Sequence, residues 1–201
     1  DLKNYKQGLV FYNKALKLSY QTQKDRNISL LLNNIGDVYL QKKEYKKALT
    51  YFYKALILNK KDEETTGIGI NLTNIGICYI NIKNYEKGIE MLNKSIGAYN
   101  DNSNLYNTYN HYELGRAYYL MSQDEMYASN KNDYLEKSIS LLENVLKKFI
   151  EYNSLKDIQD TYFYLSKGYK IRGNTEMAFD SFEKYSTIKD SIFSKDSEKK
   201  M

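Results

Sequence analysis

Residues 32–55 read LNNIGDVYLQKKEYKKALTYFYKA, and the spacing within this stretch predicts the fold. Residues 72–95, LTNIGICYINIKNYEKGIEMLNKS, repeat its pattern without a gap. In both copies a glycine follows an aliphatic residue, and tyrosines stand three and nine positions after the glycine. Small residues stand 12 and 19 positions after it, on either side of a large residue at position 16. Because positions 12, 16 and 19 lie on one helical face, the pattern predicts helix pairs that pack closely through small residues.

Further copies of this pattern are less complete. The anchor glycines Gly36, Gly76 and Gly115 are 40 and 39 residues apart, and Ser166 takes the glycine position 51 residues later. In the third copy the second half matches only after 11 extra residues, so the insert 121–133 is expected to lengthen the helix pair or to form a protruding loop. The chain opens with a second half alone, from which we expect it to be a piece of a longer protein.

The composition is that of a folded helical protein. The 201 residues include no proline, which favours long helices, and 22 tyrosines, whose rings pack while their hydroxyls reach water or a ligand. The net charge of +5 is spread along the chain, so we expect no direct binding of nucleic acid. No apolar run approaches the ~18–20 residues of a membrane span, so membrane contact is expected only through segments outside this chain.

The succession L-x2-I-G-x2-Y and then A-x3-F, read from Leu32 to Phe52, resembles the tetratricopeptide repeat. The resemblance covers nearly the whole chain, although the period is about 40 residues instead of 34, the closing proline is missing, and His111 holds the leading position of the third copy. It implies an all-α fold, a right-handed α-solenoid of antiparallel helix pairs with about four and a half repeats.

The repeat register sets the expected organisation of the chain. We expect a repeat array over residues 1–190 and a capping or linker helix over 191–201. Within the array, the register predicts a half repeat followed by four helix pairs, at 1–20, 26–60, 63–100, 104–153 and 155–190. The cluster Asn100–Asn104 is rich in capping residues and is expected to start a helix, and Gly173 is expected to end one.

The sequence offers little catalytic chemistry. The single histidine, His111, has no neighbouring nucleophile and is interpreted as a packing or groove residue. The single cysteine, Cys78, has no basic neighbour and is expected to be a small buried residue. The stretch Thr66–Gly69 lacks the strand and lysine of a phosphate-binding loop. We therefore expect no enzyme activity, no catalytic residue, no bound metal and no cofactor.

In tetratricopeptide proteins, the first helix of each pair lines a concave face that holds the ligand. In the first two copies, the residues that the resemblance implies as ligand-binding are Asn33, Asn34, Asp37, Gln41, Thr73, Asn74 and Asn81. In the last two copies, the corresponding residues are Tyr112, Arg116, Tyr119, Phe163, Lys167 and Lys170. The amide-rich half suits a peptide main chain, since an amide both donates and accepts. The basic and aromatic half suits an acidic segment with an apolar side chain, although these polar residues are also compatible with a merely solvated face.

The residues around Lys189, Asp190 and Ser191 resemble a junction in sensor proteins of Bacteroidetes-type bacteria. This resemblance implies a ligand-recognition region of a larger signalling protein, periplasmic rather than cytoplasmic, whose partner is a protein or peptide. Two alternatives remain open. One is a cytoplasmic peptide-responsive regulator, similar to the tetratricopeptide quorum-sensing receptors of Firmicutes, and the other is a passive assembly scaffold. A homodimer is compatible with all three.

Overall fold

The structure, a computed structural model, describes residues 2–21, 25–99 and 105–198, and almost all of them are helical. No strand occurs within these ranges. The helices described there are α1 (Leu2–Gln21), α2 (Asp25–Gln41), α3 (Tyr45–Lys61), α4 (Thr65–Asn81), α5 (Tyr85–Ala98), α6 (Leu105–Gln123), α7 (Lys131–Glu151), α8 (Leu155–Arg172) and α9 (Thr175–Glu198).

The chain divides into two compact units, unit 1 (Asp1–Asn102) and unit 2 (Ser103–Met201). In unit 1 each of the helices α1 to α5 packs on the next, and α2 also contacts α4. In unit 2 the same holds for α6 to α9, and α6 also contacts α8. Contact between successive helices, with the first helices of neighbouring pairs side by side, is the arrangement of stacked helix pairs. The predicted fold class, an all-α solenoid of helix pairs, is confirmed.

The anchor glycines mark the closest approach of the helices within a pair. A Cβ atom on Gly36 would lie 2.6 Å from the ring of Phe52, which stands at position 16 of the same copy. The other two pairs repeat this contact, with Gly76 against Leu92 and Gly115 against Leu142. Phe52, Leu92 and Leu142 are all fully buried. The repeat register read from the sequence is therefore confirmed for these three pairs.

The fourth pair departs from this pattern at Phe182. The register predicts that Phe182 fills the gap beside Ser166, but its side chain is 55% exposed. In the first pair, Phe52 is also covered by Leu72 and Ile75 of the following helix α4. Among the described helices α9 packs on α8 alone, so no following helix covers Phe182. Phe182 lies beside Ser166 as the register predicts, but the repeat buries this position only between two pairs.

Residues in the left-handed conformation follow the helices at five connections. Gly173 has φ of 87° at the end of α8, which confirms its predicted role as a helix cap. Non-glycine residues with φ between 53° and 65° occupy the equivalent positions in four other turns: Lys43, Glu63, Lys83 and Asn153. The same local turn thus reverses the chain between helices in both units.

The insert 121–133 is neither a loop nor a continuous helix. The helix α6 extends to Gln123, a 3-10 helix covers Glu125–Asn130, and α7 begins at Lys131. The carboxylate of Asp124 caps the 3-10 helix by accepting from the backbone N–H of Met126 at 3.1 Å. The ring of Tyr127 packs edge-on against Tyr134, with centroids 5.9 Å apart, and so holds the insert against α7.

Some expectations fall on residues outside the described ranges. The cluster Asn100–Asn104 and the last residues, 199–201, belong to this group. The helix α9 continues through Asp190 and Ser191, the expected border of the repeat array. Among the described helices, none combines the length and the apolar character needed to cross a membrane.

Candidate ligand-binding site

In unit 1 the candidate residues lie on α2 and α4, the first helices of two neighbouring pairs. The structure brings two of them into contact: Asn74 donates from Nδ2 to Oδ1 of Asn33 at 3.1 Å. Asn34 is half-buried and makes no hydrogen bond to another described residue. Asn81 uses Nδ2 to donate to the carbonyl of Ile77 at 2.8 Å, which leaves its Oδ1 for a ligand.

Other candidates of unit 1 differ sharply in exposure. Thr73 is buried, and its hydroxyl lies 3.1 Å from the carbonyl of Gly69 and 2.9 Å from the hydroxyl of Ser95. Asp37 and Gln41 are exposed, one helical turn apart. Desolvation by the surrounding protein raises the pKa of the Asp37 carboxyl, although a hydrogen bond with Gln41 acts in the opposite direction.

Two buried asparagines of unit 1 were not among the candidates. Asn59 on α3 and Asn71 on α4 are 7% and 1% exposed, and both bond to neighbouring amides. Together with Asn33 they line a pocket of about 270 Å³. Asn71 precedes Asn74 by three positions, so the helical period places both on one face. Nothing in the local sequence of Asn59 indicates this arrangement, which depends on how α3 packs against α4.

In unit 2 the charge of Arg116 is held inside the protein. Its guanidinium forms an ion pair with Glu113 on the same helix, with Nη2 2.6 Å from Oε2, and the side chains are 11% and 5% exposed. Burial alone would lower the pKa of Arg116, but the Glu113 carboxylate raises it above its usual value. The guanidinium thus already has an anionic partner, and it is not an open site for an acidic ligand.

Aromatic side chains connect α6 with α8. Tyr112 and Tyr119 are buried, and both meet the ring of Tyr164 edge-on, at centroid distances of 6.3 and 5.4 Å. Phe163 packs on Tyr164 at 5.3 Å. Desolvation raises the pKa of the Tyr112 hydroxyl well above its usual value. Tyr112 and Tyr119 are therefore packed, uncharged residues that lie beneath the surface.

Three candidates, Phe163, Lys167 and Lys170, line one open groove between α8 and α9. We call it the α8–α9 groove; it has a volume of about 480 Å³. Its remaining lining residues are Ser166, Thr175, Ala178, Phe179 and Phe182. Phe179 and Phe182 are 70% and 55% exposed.

The charges around the α8–α9 groove are unequal on its two sides. Lys167 places its ammonium 4.2 Å from the centre of the Phe163 ring, within the range of a cation–π contact. Neither Lys167 nor Lys170 forms an ion pair with a described residue. Two exposed acids, Glu176 and Glu183, stand seven residues apart on α9, away from the helix face that packs on α8. The lysine side of the groove is therefore open to an acidic ligand.

Cys78 and His111, the single cysteine and the single histidine, are each held within the protein. Cys78 is fully buried, and burial raises the pKa of its thiol to about 12, so its reactive thiolate form is scarce at neutral pH. His111 donates from Nδ1 to the carbonyl of Asn107 at 2.7 Å, within its own helix. In the described part of the chain, no three His, Cys, Asp or Glu side chains are grouped as metal ligands.

Comparison with known proteins agrees with this architecture. Residues 27–101 match the family described as Tetratricopeptide repeat. This match lies within unit 1, whose stacked helix pairs agree with it. No curated protein matches the sequence.

Several solved structures have a similar fold. BtubC (BKLC) from P. vanneervenii superimposes with a TM-score of 0.71 at 14% identity, over 94% of this chain and 74% of that one. A kinesin-light-chain-type protein of Podosopora anserina with nearly identical TPR-like repeats gives 0.64 at 13% identity, over 94% and 88%. The apo form of RapI gives 0.61 at 16% identity, over 96% and 80%. Identities this low show a shared fold alone.

Proposed function

We propose that the chain is a protein- or peptide-binding module and that the α8–α9 groove holds part of the ligand. The observation that carries this proposal is the combination of two exposed phenylalanines, Phe179 and Phe182, with two lysines that lack ion-pair partners, Lys167 and Lys170. Large apolar side chains left in solvent are typical of interaction sites. The fold supports the same function, since helical repeats present extended binding surfaces.

The chemistry of the groove defines the ligand. Phe163, Phe179 and Phe182 suit an apolar side chain, while Lys167 and Lys170 suit carboxylates beside it. The ligand is therefore an acidic segment with at least one large apolar residue. In unit 1, Asn34 and Asn74 are proposed to contact a peptide main chain, because an amide satisfies both a C=O and an N–H.

A peptide-binding measurement tests this proposal. The full chain is screened against fluorescent peptides that carry a central leucine or phenylalanine flanked by aspartates, by lysines or by serines. We expect selective binding of the aspartate peptides, weakened at least tenfold by the pair Lys167→Gln and Lys170→Gln and also by Phe179→Ser. The matched control replaces two exposed lysines elsewhere, Lys46→Gln and Lys147→Gln. Preference for the lysine peptides, or equal affinity in test and control variants, would show that this groove is not the site.

The biological role that fits best is the ligand-recognition region of a larger signalling protein, in a bacterium and on the periplasmic side of the membrane. A cytoplasmic peptide-responsive regulator and a passive scaffold are the alternatives. The sequence of the whole gene separates them. A membrane span within ~50 residues after Met201 supports the sensor, whereas a DNA-binding helix-turn-helix before Asp1 supports the regulator. A ligand that leaves helix positions unchanged favours the scaffold.

A further inference from the structure

Three asparagines of unit 1 form a hydrogen-bonded relay. Asn59 donates from Nδ2 to Oδ1 of Asn71 at 2.7 Å. Asn71 donates in turn from Nδ2 to Oδ1 of Asn33 at 2.9 Å. The relay runs from α3 through α4 to α2, and the side chains of Asn59 and Asn71 are buried. Such a chain of amides has an acceptor left over at one end and a donor left over at the other.

The two ends of this amide relay have no partner among the described residues. Oδ1 of Asn33 already accepts from both Asn71 and Asn74, and its Nδ2 donates to no described residue. At the opposite end, Oδ1 of Asn59 accepts from no described residue. Neither atom is among the fully enclosed unpaired groups of the described residues, so a ligand or water can reach both and complete their hydrogen bonds.

The residues at both ends of the relay line the same pocket. Asn33, Asn59 and Asn71 all line the pocket of about 270 Å³ between α2, α3 and α4. Since one water molecule takes up ~30 Å³, a pocket of this size has room for a single amino-acid side chain. Leu30 and Ile70 supply apolar surface at its border.

Gly67 makes room for the relay. A Cβ atom at this position would lie 2.5 Å from Nδ2 of Asn59, well inside the contact distance of the two atoms. The glycine is on the first turn of α4 and faces the C-terminal end of α3. Any larger residue there would displace the acceptor end of the relay.

From this arrangement we infer that unit 1 contains a binding site for a carboxamide group. Its carbonyl accepts from Nδ2 of Asn33, and its N–H donates to Oδ1 of Asn59, so that four amides close a ring. A carboxylate cannot complete the ring, because it has no N–H, and the Glu64 carboxylate that lines the pocket also disfavours a second negative charge. The group comes from a glutamine or asparagine side chain or from a peptide main chain.

Nuclear magnetic resonance of the full ¹⁵N-labelled chain tests this site. The side-chain NH₂ signals of Asn33, Asn59 and Asn71 are followed during millimolar titration with N-acetyl-glutamine-N-methylamide, and with its glutamate and norleucine analogues. Shifts with the glutamine probe alone assign the side chain as the source, and equal shifts with the glutamine and norleucine probes assign the main chain. The absence of shifts, or larger shifts with the glutamate probe, overturns the inference.

Two variants separate ligand binding from a purely structural role of the relay. Asn33→Asp keeps the oxygen that accepts from Asn71 and Asn74 but removes the free donor, and we expect at least tenfold weaker binding of the probe. Gly67→Ala displaces Asn59 and is expected to weaken binding as strongly, which keeps the test valid if Asn33→Asp does not fold. The control Asn93→Asp makes the same charge change on the exposed side of α5. Unchanged affinity in folded Asn33→Asp and Gly67→Ala contradicts the site.

Discussion

At the scale of single residues, much of the polar chemistry on the predicted ligand face is used within the protein. The hydroxyl of Thr73 bonds within unit 1, and the guanidinium of Arg116 is paired with Glu113 in unit 2. Exposed candidates such as Asp37, Lys167 and Lys170 retain surface for a ligand. Sequence position alone cannot separate these groups, because a polar side chain on a helix can face a neighbouring helix as readily as solvent.

The ion pair of Arg116 predicts a loss of stability on mutation. In Arg116→Ala the Glu113 carboxylate stays buried without its partner, and we expect the free energy of unfolding to fall by about 3–5 kcal/mol. Denaturant titration measures this loss. The double variant Arg116→Met with Glu113→Leu removes both charges and should recover most of the stability. An unchanged denaturation midpoint in Arg116→Ala would contradict the buried pair. The control Lys137→Ala breaks an exposed pair with Asp133 and should leave the midpoint unchanged.

At the scale of helices, the small residues of the repeat decide how closely each pair packs. Between α4 and α5 the backbones themselves touch, since a Cβ on Gly76 would lie 3.0 Å from the carbonyl of Gly88, and the reverse distance is also 3.0 Å. Backbone atoms cannot rotate away as a side chain can. In this pair the position of α5 is therefore fixed by glycine at both contact points.

This contact predicts opposite effects for two glycines of the same helix. Gly88→Ala should separate α4 from α5 and destabilise the protein by about 1–3 kcal/mol. Gly97→Ala meets no atom within 4 Å, and the higher helix propensity of alanine should stabilise the protein by up to about 1 kcal/mol. Thermal unfolding of the two variants measures both effects. Equal melting temperatures would mean that the register of the α4–α5 pair is wrong.

The helix α9 carries two apolar faces. Ala178, Ser181 and Ile188 point towards α8, and the side chain of Ser181 is buried. Phe179 and Phe182 lie on the neighbouring face and remain exposed. A helix inside a repeat array uses both faces for packing. In α9 the second face is left for the proposed ligand, because no further described helix reaches it.

At the scale of the whole molecule, the net charge of +5 favours the approach of acidic partners. We expect the association rate constant of an aspartate-flanked peptide to fall as the ionic strength rises from ~0.01 to ~0.15 M, because the Debye length shortens from about 30 to about 8 Å. Stopped-flow fluorescence measures this rate. A serine-flanked peptide should associate at nearly the same rate at both salt concentrations. Equal salt dependence of the two peptides would argue against electrostatic attraction to Lys167 and Lys170.

Local sequence patterns were enough to predict the fold class and the register of the first three helix pairs. Gly36, Gly76 and Gly115 recur at nearly the same spacing because in each repeat the glycine packs against a large residue of the paired helix. The same reasoning placed the helix cap at Gly173, since the left-handed conformation is a local property of the backbone.

Which polar and aromatic side chains remain available to a ligand depends on contacts between the helices. The amide relay of Asn59, Asn71 and Asn33 joins three helices, and the exposure of Phe182 depends on the absence of a following helix among those described. Both features arise from contacts between residues far apart in the chain. A local pattern specifies the face on which a residue lies, whereas only packing specifies what lies opposite that face.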